Sequence, residues 1–201
     1  LYRFKNVNDM RPYSTLMMFA AILLLSIGVN AQSYQLNTEA SSLHIDGTSN
    51  IHDWTIKAEN TGGNLSLDFE DSSLEDIKQL EFTVMAKSLM SGKSGMDKNT
   101  YKALNTNKHK QITFKLKDVQ SIEKVSTGIY NVKTIGSLEI AGTKKDIKLD
   151  FKLKSSSNAI TLTGEHKLNM TSFGVEAPTA MFGTITTGED VVVKFESQFN
   201  N

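Results

Sequence analysis

Beyond about residue 40, apolar and polar side chains alternate one for one along most of the chain, the period-two pattern of strands with one face in a core and the other in water. The stretch Leu43 to Trp54 opens the pattern and reads as two alternating strands joined by a tight turn over Gly47-Thr48-Ser49-Asn50. In the return strand Trp54, Ile56 and Ala58 share a phase, and His52 falls in it too. Leu65, Leu67 and Phe69 form the next inward set, followed by Leu80, Phe82, Val84 and Ala86. Ile112, Phe114 and Leu116 then alternate almost purely with Thr113, Lys115 and Lys117. The second half repeats the design. Tyr130, Val132, Leu138 and Ile140 lead into a turn at Ala141-Gly142-Thr143-Lys144, and Ile147, Leu149, Phe151 and Leu153 return from it. Past Ser155-Ser156-Ser157-Asn158, the positions Ile160, Leu162, Gly164, His166, Leu168 and Met170 share a face. A last strand, Val191 to Glu196, follows a predicted turn at Thr187-Gly188-Glu189-Asp190.

One segment breaks the alternation as a helix would. Asp97 is placed to cap Lys98 to Leu104, with Met96, Thr100, Ala103 and Leu104 on one stripe, so the helix either lies across an opening or fills a gap beside the strands. A weaker capping-box spacing at Ser72-Ser73-Leu74-Glu75 predicts a second helical turn. The fold class that follows is all-β: an antiparallel barrel of about eight strands with one short inserted α-helix, its closure removing exposed strand edges. A β-sandwich is the alternative, without the disulfide and the Trp and Tyr landmarks of immunoglobulin-like folds.

The first residues follow a different logic. Arg3, Lys5 and Arg11 precede an apolar run from Leu16 to Val29, shorter than the ~20 residues of a spanning helix, and Val29-Asn30-Ala31 offers small residues before a cut. Residues 1–31 are therefore expected to be a cleaved signal peptide and residues 32–201 one barrel domain, periplasmic or secreted from a bacterium, with no stable membrane span after cleavage. The chain has no cysteine, which excludes lipid attachment at a mature N-terminal cysteine, disulfides and thiolate metal sites. Lys plus Arg and Asp plus Glu number 22 each; losing Arg3, Lys5, Arg11 and Asp9 leaves 19 against 21. A chain so nearly neutral lacks the basic excess that nucleic-acid binding needs, and no polybasic segment would hold it on an anionic membrane.

No nucleophile elbow, phosphate-binding glycine loop or His-Glu-x-x-His pair is present, and neighbouring strand residues such as His52 and Asp53 point to opposite faces, so no catalytic residue is assigned. His52 and His166 share a phase with apolar neighbours. They read either as hydrogen-bonded wall residues or as contacts for the polar head of a bound amphiphile, and no third ligand joins them to make a metal site. An inner wall of Trp54 and several phenylalanines suits hydrocarbon better than a sugar or an ion, but an eight-strand barrel is either filled by its side chains or left with room for one ligand, and alternation does not choose between these.

Four segments in order resemble the YceI-like family of exported polyisoprenoid-binding proteins, from about Tyr34 to Phe195. They are Ser42 to Ser49 with His52-Asp53-Trp54; Met96 to Leu104 leading to Ile112-Thr113-Phe114; Gly136 to Lys145; and Leu168-Asn169-Met170-Thr171-Ser172-Phe173-Gly174-Val175. The resemblance implies a lipocalin-like barrel enclosing a long apolar chain, a carrier and not an enzyme, with no cofactor beyond the bound lipid. Pocket-lining positions carried over from it are Trp54, Phe82, Phe114, Leu138, Phe151 and Phe173. Relatives often place an Arg where this chain has Met170, so no charged headgroup contact is expected there. The expected function is transport, storage or sequestration of a polyisoprenoid or similar long-chain amphiphile. Its alternative is a non-catalytic cell-envelope interaction module with a filled barrel, and a third reading is lipid chemistry at His52 or His166. A homodimer is left open.

Overall fold

The structure, a computed structural model, describes residues 32–201, so the expected signal peptide and cleavage site lie outside the described residues. The alternating runs form strands β1 (Gln32–Leu36), β2 (Ser42–Ser49), β3 (Trp54–Ala58), β4 (Thr61–Glu70), β5 (Ser73–Met85), β6 (Leu89–Met90), β7 (Gln111–Ser126), β8 (Ile129–Ile140), β9 (Thr143–Ser155), β10 (Ala159–Asn169), β11 (Thr179–Ala180) and β12 (Ile185–Asn200). A single helix among the described residues, α1 (Ser94–Ala103), is inserted between β6 and β7. No helix among them is long and apolar enough to cross a membrane.

Every sheet pairing is antiparallel, and eight strands close a ring in the order β1-β4-β5-β7-β8-β9-β10-β12, with β12 returning to β1. The extra strands β2, β3 and β6 continue the ring at one end. β12 pairs with β2 over Thr187 to Glu196 and with β1 at Phe199 and Asn200, while β2 pairs with β3 as β1 pairs with β4. Hydrogen bonds from Glu59 N to Ser88 O and from Met85 N to Asn60 O stitch these breaks. Taken as interrupted single strands, β1/β2, β3/β4 and β5/β6 complete an up-and-down barrel, the antiparallel lipocalin-like architecture expected from the sequence.

Two stretches of the wall are splayed. β5 meets β7 only from Glu81 to Met85, and β9 meets β10 only at four pairs, Lys152 to Ser155 against Ile160 to Thr163. In the first gap Tyr130 compensates: its buried hydroxyl accepts a 3.0 Å hydrogen bond from the N–H of Leu74, in the part of β5 that β7 does not reach. Above the second, the turn Met170–Phe173 folds back and buries Phe173. The lower end of the barrel is solid, packed by Tyr34, Leu65, Leu67, Tyr130, Leu153, Ile160 and Phe199, all buried. Outside, cross-strand ion pairs such as Lys115 to Glu81 (3.1 Å) and Lys194 to Asp46 (2.9 Å) occupy the solvent face. The Thr55 hydroxyl and the Lys194 ammonium together hold the Asp46 carboxyl below the usual aspartate range.

Four local expectations change. Gly47, Thr48 and Ser49 belong to β2, and the chain reverses instead over Ser49 to His52, where Ser49 N–H donates to His52 O and the Ser49 hydroxyl to the same oxygen. The predicted turn Thr187 to Asp190 is strand: a bulge between Thr187 and Val191 absorbs the polar residues, and the Asn169 amide donates to the Asp190 carboxylate at 2.7 Å. Ser72 to Glu75 is no helical turn. Asp71 and Ser72 both take left-handed backbone and close the β4–β5 hairpin. Asp97 does not cap α1. The helix begins at Ser94, and the buried Asp97 carboxylate accepts hydrogen bonds from the Ser91 N–H (2.7 Å) and hydroxyl (2.6 Å), fastening the incoming loop to the first turn.

Candidate ligand-binding cavity

Above the solid floor the barrel is hollow. A cavity of about 1200 Å³ runs from Leu80, Leu162 and Phe199 at its base to an opening at the end that carries the β2–β3 loop, α1 and the segment 178–183. That is above the ~300–1,000 Å³ of most small-molecule pockets, and the filled-barrel expectation does not hold. The walls are inward residues of consecutive strands, among them Leu43 and Ile45 of β2, Ile147 and Leu149 of β9, and Val191, Val193 and Phe195 of β12.

The cavity stays open because several large rings lie along the wall instead of across the lumen. Trp54 packs its indole over Gly47 on the paired strand, where any Cβ would overlap the ring, and its Nε1–H donates to Thr48 O at 2.9 Å. Phe114 lies over Gly136 in the same way, and Phe195 over Gly164. A glycine inside a strand is ordinarily a weakness, and here each marks a place where a neighbouring ring approaches the backbone.

All six expected lining positions, Trp54, Phe82, Phe114, Leu138, Phe151 and Phe173, are on the cavity wall, as is Met170. The helix takes the first of its two expected positions: Met96, Thr100, Ala103 and Leu104 line the cavity, so α1 roofs part of the opening. The two histidines part company. His52 sits exposed at the opening, and its Nδ1–H donates to Asp53 O at 2.8 Å. His166 is set in the wall between Val193 and the splayed edge of β9, where burial pushes its imidazole below the usual histidine range and the Asp150 carboxylate opposes that shift more weakly. Among the described residues no group of three or more His, Cys, Asp or Glu could hold a metal ion.

Sequence reasoning missed the rim. Lys93 and Lys98 line the opening from the first turns around α1, and Met181 and Phe182 line it from the connection before β12. Neither pair stands out by periodicity, since a lysine on a short helix and two apolar residues in a loop are common and unpatterned.

A closed up-and-down barrel with one sealed end, one open end and a hydrocarbon-lined lumen is built as an internal-ligand binder. The sequence matches the YceI-like domain over residues 34–199, and the chain belongs to that family. No curated protein sequence matches it. Among solved structures, a polyisoprenoid-binding domain from Saccharophagus degradans implicated in plant cell wall breakdown is similar at a TM-score of 0.65 and 13% identity, covering 83% of this chain and 97% of that one. BcnA of Burkholderia cenocepacia is similar at 0.63 and 14%, covering 81% and 98%. The Campylobacter jejuni YceI protein follows at 0.54 and 20%, covering 71% and 82%. At these identities the likeness is one of fold.

Proposed function

We propose that this protein is an exported lipid-binding protein that encloses a polyisoprenoid or a similar long-chain amphiphile and carries, stores or sequesters it without altering its covalent bonds. The signal-peptide layout of residues 1–31 supports export, to the periplasm or outside the cell. The observation that carries the reading is the large apolar cavity, closed at its base by packed side chains and open at the other end. Tail burial there supplies about 25 cal/mol for each Å² of apolar surface removed from water. The Saccharophagus degradans neighbour, described as a polyisoprenoid-binding domain, supports the ligand class. Trp54, Phe82, Phe114, Leu138, Phe151 and Phe173 would grip the tail, and His52 at the opening or His166 in the wall would meet the head.

Protein purified without harsh detergent should release a long-chain lipid into organic solvent, detectable by mass spectrometry, and should take up added polyprenol when stripped. An empty extract together with no uptake would sink the reading. Phe114→Glu should abolish uptake by placing a charge in the lumen, and Ala103→Trp should do so by filling it from the roof, leaving the barrel wall untouched.

A further inference from the structure

Five large apolar side chains are strongly exposed among the described residues, and three of them, Ile51, Met181 and Phe182, line the cavity opening. Phe182 is fully exposed. Met181 and Phe182 both take left-handed backbone (φ 50° and 55°), an unfavourable conformation for bulky residues, in a tight turn closed by a hydrogen bond from Thr184 N–H to Met181 O (3.2 Å) that carries both side chains outward. The two loops that carry these residues are fastened to each other. Asn50 N–H donates to Thr186 O (3.1 Å), its side-chain amide nitrogen donates to Thr184 O (2.9 Å), and its side-chain oxygen accepts from Thr186 N–H (3.0 Å). Ile51 and the Met181-Phe182 tip therefore belong to one platform on the rim.

The charged side chains that line the opening itself have one sign, with the exposed carboxylates Asp53, Glu176 and Glu189 set outside that lining on the neighbouring loops and strand. Lys93 and Lys98 are the ionised side chains lining the opening, both exposed, and no carboxylate lines it. Asp97, which lies between them in sequence, is buried and committed to Ser91.

We infer that this rim is a docking surface for an anionic lipid bilayer: Ile51, Met181 and Phe182 enter the headgroup–acyl boundary while Lys93 and Lys98 meet the lipid phosphates. The inference extends the lipid-binding reading, on which it rests, by specifying where the ligand enters and leaves. Docked in this way, the opening faces the acyl region, and an apolar tail passes between bilayer and lumen without crossing water, which avoids the hydration cost of exposing it. The amphipathic arrangement, apolar tips beside cations, is the one that holds interfacial segments at a membrane surface.

The absence of cysteine allows a single reporter to be placed at will. In the full chain, an environment-sensitive fluorophore attached at Phe182→Cys should shift to the blue on phosphatidylcholine–phosphatidylglycerol vesicles and be quenched by spin-labelled acyl chains. The same fluorophore at Val125→Cys, an exposed apolar position at the sealed end, should do neither. The readout is the surroundings of residue 182, so attachment of the chain to the vesicle elsewhere does not imitate it. Lys93→Gln and Lys98→Gln should each weaken insertion by about fivefold on anionic vesicles and leave phosphatidylcholine vesicles unaffected. Met181→Ser should reduce insertion of the reporter at position 182 on both. A reporter at 182 that stays in water on vesicle-bound protein overturns the inference, as does a blue shift without lipid that grows with protein concentration, which would mean that a second copy covers the rim. Polyprenol uptake from detergent tests the cavity separately: uptake without rim insertion removes this inference alone, and no uptake removes the ligand reading beneath it.

Discussion

Two glycines have more influence on the lumen than most of the large residues around it. Gly47 and Gly136 leave flat ground on which Trp54 and Phe114 lie, and a side chain at either position would push a ring toward the axis. Gly136→Val should therefore destabilise the fold by about 1–3 kcal/mol and also lower polyprenol uptake. Gly62→Ala, where an added methyl meets nothing, should leave uptake unchanged. Thermal melts and uptake measured together separate the two effects. His166 supplies a pH signature. Its folded-state pKa lies below the unfolded value of about 6.5 because burial disfavours the imidazolium. The unfolded chain therefore binds the proton first, and this site's contribution to stability is intact at higher pH and declines as pH falls through about 6.5. Urea denaturation on either side of that pH should show a smaller acid loss in His166→Gln than in the parent.

At the scale of elements, strands were legible where one face is buried and the other solvated, as in Ile112 to Lys117 and Ile147 to Lys154, because the pleat itself writes the alternation into the sequence. Elements outside the core were not. The first residues of β12 pair only singly, Thr186 with β11 and Thr187 with β2, and bury little, so Thr186 to Asp190 carries the polar, glycine-containing composition of a turn while forming strand. Helix α1 begins earlier than its composition suggests, because Asp97 is used to fix Ser91 and a different residue, Lys93, stands at the cap. Asp97→Ala would leave the Ser91 donors without their acceptor. The expected result is a loss of about 2 kcal/mol and faster amide exchange at Ser91 and across the first turn of α1, with β7 to β10 unaffected.

For the molecule as a whole, the closed antiparallel sheet followed from the repetition of half-buried strands, but hollow and filled interiors share the same alternation. What separates them is how far inner side chains reach, and that depends on which glycine faces which ring across a ladder, a fact of register that no single strand contains. The family resemblance pointed to the hollow form through its motifs. The rim was illegible for a related reason: Asn50, Ile51 and Met181 to Thr184 are far apart in sequence and meet only when β2 reaches β12. One feature of the wall bears on which guests the protein can admit. β9 and β10 are laddered at four pairs near the base, and no ladder pair joins them beyond Thr163. Spreading them there would break no ladder pair, so the vessel has an expansion joint. On the lipid-binding reading proposed above, its girth would yield to branched or bulky hydrocarbon while its depth stayed fixed by the solid base, and selection among guests would fall on length before width.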